Sequence, residues 1–407
     1  MRVLLVNTLY PPDSEGGAER SVAQLAHGLA GAGVDVTVLA LKADGALGRE
    51  HRDGVTVWRA PMRNLYWPYD GGGRRSALLR MGWHTVEAFG RTMDGVVARV
   101  IQQARPDLIH AQVTTGFGTS VTRAAKRTEL PLVQTVRDYS LMCARAAMFR
   151  KGRRCAQRCG DCVLLTADRK HASERAQAWV AVSRSLAEAH LSETYFDGVP
   201  GQVIGNAAAM VQASVRPGFD LAPELVFGFI GRIEPEKGVE VLLQAAMRLG
   251  DGWRLKIAGR GDTAYVAALQ RRFDDPRIDW LGQVEAEVFY RSVDVVTAPA
   301  LWAEPFGRAA AEAVAQGRGL IVSRIGGLPE AAGDALFVML VEAGDVAGLA
   351  EAMQRALDAR EDWRFGAMIN SRTAPRWTEA AVVEEHLALY REVLTRASST
   401  AADASQL

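Results

Sequence analysis

Short apolar runs alternate with longer amphipathic stretches along most of the chain. In the first half, runs rich in Val, Leu and Ile predict strands at residues 2–7, 34–41, 55–59, 108–111, 132–136 and 179–182. The stretches between them predict a helix at residues 21–30, a long helical region at 76–104 and a helix ending near residue 128. Because strands that alternate with helices form parallel sheets, this half predicts a doubly wound α/β domain.

A second series of the same kind follows a loop-like stretch that ends near residue 223 and predicts a linker. Its strands are predicted at residues 225–230, 254–258, 278–280, 293–297 and 319–323, with helices at 238–248, 263–273 and 286–291. A last amphipathic helix is expected to pack back on the first domain.

At 407 residues the chain exceeds what a single core usually holds. We therefore expect two Rossmann-like domains that face a cleft. The first comprises residues 1–205 together with the helix at 378–396, the second comprises residues 206–377, and residues 397–407 form a disordered tail.

Composition and charge point to a cytoplasmic protein with an anionic partner. The chain is 48% hydrophobic and 23% charged, and it contains no apolar run of the length that crosses a bilayer. Its net charge of +1 hides an asymmetry, because residues 1–200 carry 27 Lys and Arg against 19 Asp and Glu, and the remainder carries 21 against 28. We expect the first half to meet something anionic, and we expect no nucleic-acid partner.

Residues 137–171 interrupt the alternation of predicted strands and helices, and they predict an insertion rich in Cys and Arg. All the cysteines fall there, namely Cys143, Cys155, Cys159 and Cys162. In a cytoplasmic enzyme such clustering favours a metal over disulfides. Two interpretations stay open, a structural zinc site and buried or free thiols.

Basic residues in and near this insertion suggest a second anionic contact. One interpretation is a peripheral contact with the inner face of a membrane or with a lipid-diphosphate acceptor, and the other is a solvated basic face. The residues concerned are Arg145, Arg150, Lys151, Arg153, Arg154 and Arg158, with Arg74, Arg75 and Arg80 beside Leu78, Leu79, Met81 and Trp83.

The stretch from residue 293 to 317 reads as strand, loop and helix, and it carries the candidate chemistry. Glu304 lies in the loop before the helix, where exposed N–H groups and Gly307 favour a phosphate. Glu312 follows two helical turns later among alanines, too apolar a surface for an ordinary solvated face. This arrangement suits a nucleotide-sugar. A structural interpretation fits the same sequence, with Glu304 as an ordinary first-turn glutamate of the helix and Glu312 as a partly buried, paired one.

Two cations occupy the end of an earlier predicted strand. Arg232 and Lys237 there suit a diphosphate, or they form surface ion pairs with Glu234 and Glu236. Glycines follow two more predicted strands, at residues 259–261 and 326–327. They either form turns only or let the same phosphate-sugar ligand come close to the backbone.

These residues resemble the retaining glycosyltransferases of family four, which have the two-Rossmann-domain GT-B fold. The matching motifs are G-R-x-x-x-x-K-G at 231–238, I-x-G-x-G at 257–261, E-P-F-G-x-x-x-x-E-A at 304–313 and G-G-x-P-E at 326–330. G-G-A-E-R at 16–20 is similar to the family's acceptor-side loop, so the resemblance covers nearly the whole chain.

The resemblance implies transfer of a hexose from a UDP- or GDP-sugar to a glycan, lipid-linked or small-molecule acceptor, with retention by front-side attack. It places Glu304 near the reacting carbon, Arg232 and Lys237 on the diphosphate, and Glu312 on the ribose. The donor-binding residues that it implies are Gly16, Gly17, Gly231, Gly259, Pro305, Phe306, Gly307 and Glu312.

The chain departs from the family on the sugar or acceptor side. Arg137 precedes Asp138 where many members have His, and Gln112 stands where a second His often follows one like His110. His110, Arg137 and Asp138 are therefore candidates whose roles, and the sugar itself, stay open.

Two other functions fit the same fold. One is a nucleotide-sugar-binding protein without transfer activity, and the other is a sugar-nucleotide epimerase that uses His110 and Asp138 as acid and base. The sequence has no Asp-x-Asp motif, so we expect donor binding and catalysis to require no metal cofactor.

Overall fold

The computed structural model describes residues 1–13, 16–70, 75–150, 152–208, 224–370 and 376–404. Most of the predicted linker, as well as Arg74 and Lys151, lie outside these residues. The chain divides into two compact units. The first unit comprises Met1–Ala147, Ala156–Ala207 and Glu379–Leu407, and the second comprises Met148–Cys155 and Ala208–Thr378.

The first unit is built on an eight-stranded sheet with the order β10-β9-β6-β5-β1-β2-β4-β3, parallel except for the β3–β4 pair at one edge. Its strands are β1 Arg2–Val6, β2 Asp35–Lys42, β3 Gly48–Arg52, β4 Val55–Pro61, β5 Leu108–Ala111, β6 Leu132–Val136, β9 Ala178–Ala181 and β10 Gly201–Val203. The two-residue strands β7 Phe149–Arg150 and β8 Arg153–Arg154 form a separate antiparallel pair.

In the described part of the first unit, seven helices connect these strands. They are α1 Gly17–Gly31, α2 Ala77–Phe89, α3 Asp94–Ala104, α4 Ser120–Thr128, α5 Gly160–Leu165, α6 Ala167–Ser173 and α7 Arg184–Ser192. The single long helical region predicted at 76–104 is wrong, because the backbone turns extended at Gly90 and splits it into α2 and α3.

The second unit has a six-stranded, fully parallel sheet with the order β13-β12-β11-β14-β15-β16. Its strands are β11 Leu225–Ile230, β12 Trp253–Ala258, β13 Ile278–Gly282, β14 Val295–Ala298, β15 Gly319–Ser323 and β16 Val338–Val341. Its helices are α8 Val239–Ala246, α9 Thr263–Arg272, α10 Ala286–Arg291, α11 Arg308–Ala315, α12 Leu328–Ala332, α13 Val346–Asp358 and α14 Arg360–Gly366, with 3₁₀ turns at Pro235–Lys237 and Ala367–Ile369.

This strand order is that of a Rossmann fold. The first three strands, β11 to β13, extend the sheet to one side, and the next three, β14 to β16, extend it to the other. The inner strands of this sheet are largely buried, and Phe227, Trp253, Leu255 and Ile321 all lie within the core. The predicted α/β class with two Rossmann-like domains is therefore confirmed.

The last helix, α15 Glu379–Ala404, belongs to the first unit and packs on α1. A Cβ added at Gly28 of α1 would come within 2.4 Å of Val383, so the two helices are in close contact there. Because α15 extends to Ala404, the expected disordered tail is wrong for residues 397–404, and residues 405–407 lie outside the described part. No described helix is both long and apolar enough to span a bilayer.

Candidate active site

The reversal in strand order places the ends of β11 and β14 side by side in the second unit. In an open parallel sheet, ligands bind outside the carboxyl ends of the strands at this position. Gly231 follows β11 directly, and Lys237 ends the 3₁₀ turn after it. The loop from Pro299 to Gly307 follows β14. The topology therefore brings two of the sequence-predicted motifs together.

Lys237 and Glu304 form an ion pair at this point. The Lys237 ammonium donates to Oε1 of Glu304 at 2.5 Å, and both side chains are less than a fifth exposed. The ammonium also lies 5.1 Å from the centre of the Trp302 ring. Sequence reasoning offered Glu236 as the partner of Lys237, and the structure pairs it with Glu304 instead.

Arg232 is more open than Lys237. Its guanidinium donates to Glu234 at 3.0 Å, and its side chain is 56% exposed, as the surface-pair interpretation expected. Burial, and next the neighbouring Glu236 carboxyl, raise the pKa of Glu234 to about 7. The loop thus combines two cations with a carboxyl group that titrates near neutral pH.

Glu312 is held in place by two donors that sequence reasoning missed. Arg308 donates to its Oε1 at 2.7 Å, and the Tyr290 hydroxyl donates to its Oε2 at 2.9 Å. The Arg308 contact has the i, i+4 spacing of helical ion pairs and was open to prediction, whereas Tyr290 comes from another helix. A carboxylate has about four acceptor positions, so Glu312 can also accept from a ligand.

A small pocket lies beside the Lys237–Glu304 pair. Its lining includes Gly231, Lys237, Glu304 and Gly307, together with Phe229, Ile230, Thr297, Ala298, Ala300, Ala309 and Leu328. Gly307 is the N-cap of α11 and has a φ of +97°, a conformation that suits glycine. Pro305 and Phe306 precede it, and Phe306 is buried.

The glycines after the other strands support the site through backbone packing. The Gly327 N–H donates to the Glu304 carbonyl at 2.7 Å. Gly326 has a φ of +59°, and a Cβ there would lie 2.4 Å from the Glu304 backbone nitrogen. Likewise, a Cβ at Gly259 would lie 1.7 Å from the Gly231 carbonyl oxygen. These glycines therefore fix the loops that carry Glu304 and Gly231.

In the first unit, His110 is fully buried. Its Nδ1 lies 2.6 Å from the Tyr390 hydroxyl and its Nε2 lies 2.6 Å from the Thr135 hydroxyl. Burial, followed by the neighbouring His386 and Arg137, lowers the pKa of His110 well below its usual value. The structure thus gives His110 an interior role between β5 and α15, and it does not place the ring where a sugar can reach it.

Arg137 and Asp138 follow β6. The Arg137 guanidinium donates to Gln112 Oε1 at 2.7 Å and also bonds the Asn206 side chain. Asp138 accepts the Ser140 N–H at 2.8 Å, and burial raises its pKa. Gln112 and Arg137 are the two residues at which the chain departs from the family pattern. The structure shows that they are hydrogen-bonded to each other.

The other predicted residues of the first unit lie at a helix start and in the insertion. Gly16 is the N-cap of α1 and Gly17 is its first residue, after β1. Cys143, Cys159 and Cys162 lie in the first unit, and Cys155 belongs to the second by its contacts. Arg158, predicted in a basic surface cluster, is instead largely buried and donates to the Met142 carbonyl at 3.1 Å.

Two protein families match the chain. Residues 224–359 match the family described as glycosyl transferases group 1, and residues 16–207 match the glycosyl transferase 4-like domain.

The chain also resembles curated relatives and solved structures over most of its length. It is 28% identical over 330 residues to an uncharacterized 42.6 kDa protein in the cps region of Klebsiella pneumoniae, covering 81% of this chain and 87% of that one. It is 29% identical over 380 residues to a glycogen synthase of Mycobacterium tuberculosis, covering 88% and 86%. Among solved structures, Anabaena HepE in complex with UDP-glucose superposes with a TM-score of 0.69 at 17% identity, covering 96% of this chain and all of that one.

Proposed function

Because the chain belongs to the GT-B glycosyltransferases of family four, we propose that it transfers a hexose from a UDP- or GDP-sugar with retention of configuration and without a metal cofactor. The observation that carries the proposal is the Lys237–Glu304 pair at the point where β11 and β14 end side by side. A positive group and a carboxylate share that pocket, as a ligand with a diphosphate and a hydroxyl-rich sugar requires.

The reaction breaks the bond between the anomeric carbon and the diphosphate oxygen, and it forms a bond from that carbon to an acceptor hydroxyl oxygen. Negative charge develops on the departing diphosphate. In the proposed reaction, Lys237, Arg232 and the N–H groups at the start of α11 stabilise this charge. The acceptor proton moves to an oxygen of the leaving phosphate, so attack occurs on the face from which that group departs.

Glu304 and Glu312 have separate tasks in this scheme. Glu304 accepts hydrogen bonds from the sugar hydroxyls, and Lys237 binds the diphosphate. Glu312 accepts the ribose hydroxyls, while Arg308 and Tyr290 hold its carboxylate in one orientation. An incoming diphosphate competes with Glu304 for Lys237, so the ion pair is expected to loosen when the donor binds.

We infer metal independence from the charges at and near the pocket. Lys237 in its lining, Arg232 on the same loop and the partial charge at the start of α11 would balance the leaving group, which is the task that a bound Mg²⁺ performs in other transferases. The lack of an Asp-x-Asp motif in the sequence agrees with this proposal.

We infer that the acceptor is a glycan, a lipid-linked sugar or a small molecule, and we propose a role in cell-envelope polysaccharide synthesis. Helix α2 supports peripheral contact with a membrane. Its Leu78 is 82% exposed, Met81 is 61% exposed and Phe89 is 59% exposed, and Arg75 lies just before the helix. A lipid-linked acceptor would be presented at such a surface.

A donor panel tests the function. UDP-, GDP- and ADP-sugars are first ranked by thermal shift, and the products of the best donor are then separated by chromatography. Transfer or slow hydrolysis releases free nucleoside diphosphate. A protein that only binds the donor releases none, and an epimerase yields an isomerised sugar-nucleotide, so either result would refute the proposal.

A further inference from the structure

The insertion at residues 137–171 holds two overlapping groups of metal-ligating atoms. One is the Cys143–Cys162 pair, and the other is Cys159, Asp161 and Cys162, which does not include Cys143. Sγ of Cys143 and Sγ of Cys162 are 3.9 Å apart, and both side chains are buried. The ligand atoms of Cys159, Asp161 and Cys162 all lie within 4.8 Å of one another. Cys162 thus belongs to both groups, and it links the turn at Cys143 to helix α5.

The sulfur separation matches a shared metal better than a disulfide. Tetrahedral Zn²⁺ with Zn–S bonds of about 2.3 Å holds its sulfurs roughly 3.8 Å apart. A disulfide instead requires about 2.05 Å. The 3.9 Å between Cys143 and Cys162 is too long for a disulfide; it is close to the spacing of two ligands on one zinc ion and is also that of a hydrogen bond between two thiols.

The backbone holds these thiols in position. Cys159 is the N-cap of α5 and Cys162 lies one turn further, so the C-x-x-C spacing turns both side chains toward the same end of the helix. Cys143 sits in a tight turn, where its N–H donates to the Tyr139 carbonyl at 2.8 Å and its carbonyl accepts from Ala146 at 2.9 Å.

Hydrogen bonds also hold the turn that carries Cys143. Arg158 donates to the Met142 carbonyl at 3.1 Å, and the Tyr195 hydroxyl donates to the Leu141 carbonyl at 2.9 Å. Helix α5 has six residues, and its Val163 and Leu164 are 47% and 65% exposed, so a metal bound by Cys159 and Cys162 would tie this exposed helix to the buried turn.

We propose that the thiolates of Cys143, Cys159 and Cys162 bind one structural Zn²⁺, which ties the turn after β6 to helix α5. The ion takes no part in sugar transfer. Its task is to fix the segment that begins at Arg137 and Asp138. The proposal does not depend on the proposed function, because zinc content is measured without any substrate.

Metal analysis of the full-length protein tests the site directly. Protein purified without chelator should contain about one zinc per chain, and X-ray absorption should show at least three sulfurs at about 2.3 Å from the metal. Cobalt replacement should give the intense thiolate-to-metal absorption of a tetrahedral site. Protein without zinc whose thiols all react readily, a Cys143–Cys162 disulfide, or a metal bound only by nitrogen and oxygen would each overturn the proposal.

Variants separate the loss of a ligand from the loss of folding. Cys143→Ser and Cys162→Ser should each lower the zinc content severalfold and make the protein more sensitive to protease within residues 137–171. Leu141→Ala is the matched control, because Leu141 is a buried neighbour in the same turn and carries no ligand. It should keep about one zinc per chain. Equal zinc loss in Leu141→Ala and in the Cys variants would contradict ligation by these thiols. Asp161→Asn then tests the carboxylate as the fourth ligand.

Discussion

Replacing Lys237 by Ala tests whether the pocket in the second unit stabilises the departing diphosphate. The substitution removes an ammonium that lies 2.5 Å from Glu304 in a setting where both side chains are less than a fifth exposed. At an effective dielectric constant of about 20, two unit charges about 4 Å apart interact by roughly 4 kcal/mol. Part of this interaction energy with the diphosphate is offset, because Lys237 must give up its contact with Glu304 to reach the ligand.

We therefore expect a net loss of about 3 kcal/mol in the transition state, which is a fall of roughly 100-fold or more in kcat/KM. The rate of nucleoside diphosphate release at low donor concentration measures this quantity. Lys237→Arg keeps the charge and should retain part of the activity, although its planar fork fits a point-charge position poorly.

The matched control is Arg272→Ala. It removes an ion pair of the same length, Arg272 to Glu240 at 2.5 Å, that is more exposed and does not line the pocket. Thermal unfolding of both variants shows whether loss of the pair alone destabilises the fold. A Lys237→Ala enzyme with normal kcat/KM, or an equal loss in Arg272→Ala, would mean that the diphosphate is bound elsewhere.

Three further substitutions address the rest of the site. Glu304→Gln should lower kcat much more than it weakens nucleotide binding by calorimetry, since Glu304 is assigned to the sugar; an equal effect on both would contradict that assignment. Gly326→Ala should lower both kcat and the unfolding temperature, because its Cβ would lie 2.4 Å from the Glu304 backbone, whereas Gly282→Ala, at a similar φ but in open space, should keep kcat. The pKa of Glu234 is raised from 4.5 to about 7 in the folded protein, so its stabilising contribution is present below pH 4.5 and is lost as the pH rises through 7. The urea midpoint of the wild type should fall relative to Glu234→Gln between pH 5 and pH 8, and parallel pH profiles would refute this.

The sequence predicts most of the sheets because buried parallel strands are continuous apolar runs. It misses β3, whose sequence Gly-Arg-Glu-His-Arg has no apolar pattern and forms an exposed edge strand, and the three-residue strand β10. It also misses β16, although its sequence Val-Met-Leu-Val is an apolar run of the kind that predicts a strand. It also runs α2 and α3 together, since one glycine at residue 90 does not interrupt the helical periodicity strongly enough.

The candidate site is predictable only in part. Motifs at the ends of parallel strands identify Lys237 and Glu304, but their pairing depends on β11 lying beside β14, which local sequence does not reveal. The environment of His110 was even less predictable from the sequence. Its partner Tyr390 is 280 residues away on the last helix, so no local pattern indicates that the histidine is buried and hydrogen-bonded.

Proton NMR of the reaction in excess EDTA tests the central claim, metal-free transfer from a nucleotide-sugar, most directly. We expect the donor's anomeric signal to decay as free nucleoside diphosphate appears in equal amount, at a rate that added Mg²⁺ leaves unchanged. The transferred sugar should keep the anomeric configuration of the donor. No release from any UDP-, GDP- or ADP-sugar, an inverted product, or turnover that stops in EDTA and returns with Mg²⁺ would contradict the account.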